Sequence, residues 1–167
     1  MRYLVLIILP FISIFLQTTV FSFLSMKGII PDMVLIFVVF FALLNGSKNA
    51  AIYGFLCGLL EDLYMGRFIG INALSKGITG YVIGMLEGRV FKENLFVGII
   101  SVVIGTFTNS LCLIILSLIS YNIFHLDINI FASIGYQTLY NVFLAIPIYA
   151  WYYHSTKRGV LRANGER

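Results

Sequence analysis

Residues 3–24, 95–120 and 130–152 form three stretches with no Asp, Glu, Lys or Arg in any of them. A helix crosses the hydrocarbon core of a bilayer with ~20 apolar residues. Runs of this length in a chain that is 60% hydrophobic and 11% charged point to an integral membrane protein. Backbone in lipid has no water to bond to, and a helix satisfies its amides and carbonyls within one segment. The expected fold class is therefore an all-α transmembrane bundle, a single transmembrane domain over residues 1–167.

Breakers and charges divide the chain into six expected spans, at about 3–24, 29–44, 49–64, 71–88, 93–120 and 130–153. Met26-Lys27-Gly28 joins the first pair, and Pro31 suits a helix first turn. Asn45-Gly46-Ser47-Lys48 reads as a tight turn between the second and third, and the third is short for a full crossing. The first run is longer than a signal-peptide core and lacks an A-x-A-like cleavage site, so it is expected to remain as a membrane helix.

The basic residues orient the bundle. With the N-terminus inside, Arg2, Lys48, Arg89, Lys92, Lys157, Arg158, Arg162 and Arg167 all face the cytoplasm. Only Lys27, Arg67 and Lys76 then lie on or toward the outside. The positive-inside rule selects N-in and C-in, which requires an even number of spans. Trp151, Tyr152 and Tyr153 suit an aromatic belt at the inner interface. The tail 154–167 is basic and expected to be disordered, an anchor that favours anionic membrane lipids. The net charge of +4 is explained by these anchors and calls for no nucleic acid.

Small residues mark the third and fourth spans. Gly46, Ala50, Gly54 and Gly58 recur every fourth residue, with Asp62 next in the row. Gly70, Ala73, Gly77, Gly80, Gly84 and Gly88 recur at three or four. These spacings align each set on one helix face. Lipid tails are as apolar as leucine, so helices associate in a bilayer by close backbone approach at such residues. The two faces, with Gly66 between them, are expected to pack on each other or on a partner helix.

Polar residues flank them. Asn72, Ser75, Lys76 and Thr79 form an arc on the fourth span, and with Glu61, Asp62 and Arg67 they make a charged knot at its outer end. Ionisable groups in a membrane usually pair or face protein. Asp62 is expected to bond Lys76, Arg67 or both; alternatively Lys76 snorkels to the outer interface. Gln17, Thr18, Thr19, Asn109, Gln137 and Asn141 lie deeper, and Asn109 and Asn141 fall at matching depth for a cross-helix bond. A polar substrate cavity is the alternative use of these groups.

Catalytic patterns are missing. The chain contains no H-E-x-x-H, G-x-S-x-G or G-x-x-x-x-G-K-[ST]. His125 and His154 fall on opposite sides of the membrane in this topology, and Cys57 and Cys112 sit singly in apolar helix. No enzyme activity, cofactor or metal is expected.

The stretch 54–74, GFLCGLLEDLYMGRFIGINAL, resembles the rod shape-determining protein MreD family. The shared features are a glycine-rich helix (Gly54, Gly58), a terminal acid (Asp62), a G-x-x-x-G loop (Gly66, Gly70) and a following small-residue helix (Ala73). The Pro31-Asp32 entry to the second span and the early first helix are also similar. The resemblance implies a non-enzymatic subunit of the bacterial elongation machinery in the cytoplasmic membrane. It further implies association with a single-span MreC-type protein. That pair would work with the elongation glycosyltransferase and transpeptidase and with MreB, supporting lateral peptidoglycan synthesis. It also implies a six-helix fold similar to the substrate-binding subunits of energy-coupling-factor transporters. A vitamin-binding subunit of such a transporter is thus the alternative function. The absence of alanine, and so of an A-x-x-x-A docking pattern, from the first span argues against it.

Overall fold

A computed structural model describes residues 2–23, 25, 28–66, 69–88, 94–121 and 129–158. Five helices account for nearly all of them: α1 (Arg2–Phe23), α2 (Met33–Met65), α3 (Ile71–Gly84), α4 (Leu95–Tyr121) and α5 (Asn129–Arg158). By length and composition α1, α2 and α4 are candidates to cross a membrane, α2 being taken there as one 33-residue helix across its break at Gly46. At 14 residues α3 is ~21 Å long, the shortest of the five.

Among the described residues the elements number five rather than the expected six, because the second and third expected spans are joined without a loop across one non-helical residue. The only break within α2 is Gly46, at φ 79° and ψ 171°. One residue in a conformation that L side chains rarely adopt suffices, so no loop is needed. The break is nonetheless a reversal. Phe41 and Tyr53 stack with ring centroids 4.4 Å apart. On a straight helix twelve residues would separate them by ~18 Å. Val38 likewise packs with Cys57. The two limbs of α2 therefore lie side by side.

The first limb is the centre of the molecule. Every residue from Met33 through Leu43 is buried, so this limb is apolar on all faces, as a helix surrounded by others must be. Around it, α3 packs most closely on α2, α4 lies between α3 and α5, and the backbone of α1 approaches α2 alone. Phe40 meets Tyr149 edge-on at 5.1 Å, and Phe37 and Phe40 both approach Tyr152. Tyr152 is therefore a core residue rather than part of an interfacial belt, whereas Trp151 is half exposed.

Helix ends follow local chemistry. Asp32 caps α2 by accepting the Leu35 N–H at 2.8 Å. Asn94 accepts from Phe96 N–H at 2.9 Å at the start of α4. The fourth expected span ran to Gly88, but α3 ends at Gly84. Its last turn tightens to Leu86–Ile83 and Glu87–Gly84 bonds, and Gly88 leaves at φ 75°. At the other end of the chain, α5 continues through Arg158, past the expected start of a disordered tail at His154. No glycine interrupts the sequence between Gly135 and Gly159.

Candidate functional site

The seam between α2 and α3 is made of backbone. A Cβ on Gly54 would land on the Lys76 carbonyl, and one on Gly58 on the Asn72 carbonyl and the Ala73 Cα. From the other side, a Cβ on Gly80 would meet the Ala50 carbonyl, and one on Gly84 the Ser47 backbone. Gly77 faces Ala51 and Phe55 at 3.4 Å, and Ala73 is fully buried. This face is occupied by the chain's own helices. Gly66 and Gly70 have a different role. Nothing lies within 4 Å of a Cβ on either, and they sit at φ 63° and 110° in the turn between the helices. They are turn residues, not packing residues.

Asp62 stands at the end of that seam. Gly70 is the N-cap of α3 and has no side chain to cap with. Asp62 supplies the missing acceptor. Its Oδ2 accepts from Gly70 N–H at 2.8 Å and Ala73 N–H at 3.1 Å. Its Oδ1 accepts from the Asn72 backbone at 3.2 Å and the Asn72 side-chain amide at 2.8 Å. A helix start leaves its first N–H groups unsatisfied, and a carboxylate there also meets the positive end of the helix dipole. The expected Asp62–Lys76 bond is thus corrected. Arg67, the other expected partner, lies outside the described residues.

Lys76 goes to the core instead. Its side chain is fully buried, and Nζ donates to Asp32 Oδ2 at 2.8 Å. Glu61 Oε2 stands 2.7 Å from the same Nζ but outside hydrogen-bond geometry, so charge holds this contact. The choice between adjacent acids is geometric. Successive helix residues point ~100° apart, so Asp62 continues the glycine row toward α3 while Glu61 turns inward. Lys76 does not snorkel to the interface.

The ion cluster is extended by amides. Gln17 on α1 donates to Glu61 Oε1 at 3.2 Å and accepts from Met33 N–H at 3.3 Å. Asn141 on α5 accepts from Asp32 N–H at 2.8 Å and donates to Thr106 Oγ1 on α4 at 3.1 Å. All five helices meet in this network. The expected Asn109–Asn141 bond is not formed, and Asn109 Oδ1 is buried without a hydrogen-bond partner among the described residues.

Sequence alone places Asp32 only at a helix entry. A lone acid heading a dozen apolar residues was the available signal. Chemically the network suits a structural clamp. Its members are carboxylates, amides, a hydroxyl and an ammonium, each engaged with another. Among the described residues no group of three His, Cys, Asp or Glu side chains could hold a metal ion.

Comparison with curated proteins and with solved structures returns no match, so the expected likeness to transporter substrate subunits gains no support. The family model described as rod shape-determining protein MreD matches residues 1–157. That match takes in all five helices, but for the last residue of α5, and the whole polar network, and the chain belongs to the MreD family of rod shape-determining proteins.

Proposed function

We propose that this protein is a non-enzymatic subunit of the bacterial elongation machinery that binds a single-span MreC-type protein and supports lateral peptidoglycan synthesis and rod shape. The family match over residues 1–157 carries this reading. The interior agrees with it: the centre of the bundle is filled by the first limb of α2 and by a network of mutually engaged polar groups. In this reading the elongation glycosyltransferase, transpeptidase and MreB act with the pair, directly or through the partner. The vitamin-transport alternative draws no support from the comparisons.

The doubled-back α2 supports counting its limbs separately, which gives six membrane segments with both termini in the cytoplasm. The basic residues then lie mainly inside. Reporter fusions after Ser47, Glu93 and Arg167 should read inside, and those after Arg67 and Asp127 outside. A C-terminal reporter active only outside would reject the orientation.

The functional test is depletion in a rod-shaped host. Cells should swell or round up, and a tagged copy should co-purify an MreC-type protein from native membrane. Unchanged shape and wall-synthesis pattern after full depletion would reject the proposal.

A further inference from the structure

A groove of about 370 Å³ opens on the bundle surface between α4, α5 and the segment that precedes α2. Its lining includes Gly28, Ser110, Leu113, Ile130, Ser133 and Gln137. Most of the lining is apolar, and none of its residues is charged. Two of its polar groups have no partner among the described residues. Ser13, Thr79, Thr106 and Thr138 donate their hydroxyls to the carbonyl four residues back. The Ser110 hydroxyl does not, although the residue is only 6% exposed, and the Gln137 amide also has no partner among the described residues.

Depth makes this informative. Ser110 lies near the middle of α4, and Gln137 lies ~12 Å along α5 from Asn129. Both are therefore at hydrocarbon level in the six-segment reading. Acyl tails offer no hydrogen-bonding group there, and polar groups facing them stay unsatisfied. A second helix does offer such groups, and Ser, Gln and Asn side chains are the usual cross-helix contacts in membranes. The α2–α3 glycine face is already filled from within, so this groove is the better-equipped surface for a partner.

We infer that the α4–α5 groove is the docking site for the membrane helix of the single-span partner, and that this helix presents a polar side chain to Ser110 and Gln137. The inference rests on the partner reading above and deepens it by naming the surface. An uncharged groove fits the apolar body of a helix, with the hydroxyl and amide setting its register.

The test is photo-crosslinking from the full-length protein in native membrane. A photoreactive residue at Leu113 or Ile134 should capture the partner. One at Ile7 or Ile52, in the separate groove between α1 and α2, should not. Ser110→Ala combined with Gln137→Leu should lower partner co-purification about ten-fold, with thermal unfolding in detergent unchanged. If the partner co-purifies but crosslinks only from Ile7 or Ile52, the groove assignment is overturned while the partner reading stands. If groove variants keep the partner but lose a co-purifying lipid, the groove is a lipid site and the inference is again overturned. If no single-span protein co-purifies with the unaltered chain, the partner reading itself fails and takes the groove with it.

Discussion

Where α2 meets α3, glycines at 54, 58, 80 and 84 withdraw side chains so that backbones touch. Where α1 and α5 meet α2, Gln17 and Asn141 extend side chains to reach it. The first seam is specified by shape and the second by hydrogen bonding. In a bilayer neither can rely on hydrophobicity, because a helix loses little by facing lipid instead of another helix. The two solutions fail differently. A shape-based seam is broken by adding atoms, and a polar seam by removing them.

The largest effect expected from removing atoms is at Lys76. Lys76→Met leaves Asp32 and Glu61 facing each other without a cation, and breaking a buried pair this way costs ~3–5 kcal/mol. Thermal unfolding in detergent should show it, and adding Glu61→Gln should restore part of the loss. Full additivity of the two changes would dissolve the cluster as a unit. Adding atoms at Gly80 should come next. Gly80→Leu drives a branched side chain into the Ala50 carbonyl, at ~1–3 kcal/mol or more. A Gly80→Leu protein of normal stability would show that α2 and α3 need not touch.

Asp62→Ala orphans four N–H donors at the start of α3 and should cost ~1–3 kcal/mol. Because Asp62 and Lys76 share no hydrogen-bond partner, their effects should add. Strong coupling between them would return the two residues to a single cluster. The smallest effect belongs to α1. Gln17→Leu should cost ~0.6–2 kcal/mol and leave α2–α3 crosslinking unchanged, while easing protease access to α1. Loss of both seams together would erase the distinction between them.

The shape-based seam was the legible one. Spacing alone aligned Gly54 with Gly58 and Gly80 with Gly84, because helical periodicity is local information. The polar seam was not, since its partners are distant in sequence: Asp32 and Lys76 are 44 residues apart and meet only because α2 doubles back. Asp62 was placed on the correct face but given the wrong partner. Lys76 looked near enough, yet the bare N-cap at Gly70 offered four donors closer at hand. The turn at Asn45–Lys48 was also recognised, but residue type gives no measure of how few residues a reversal needs. Gly70 fits the glycine spacing of α3 while serving the loop with Gly66, because periodicity does not separate a packing glycine from one chosen for positive φ.

The distance between Asp32 and its cation has a consequence for how the protein is made. Chains emerge from the ribosome at ~5–20 residues per second, so Asp32 appears about two to nine seconds before Lys76. Glu61 also precedes Lys76, and Asn141 follows Asp32 by 109 residues. Until α3 arrives, both limbs of α2 carry a carboxylate with no counter-ion. The newborn first limb, apolar all round yet headed by an acid, has neither its central position nor its partner. Lys76, arriving with α3, supplies the counter-ion that both limbs lack until then.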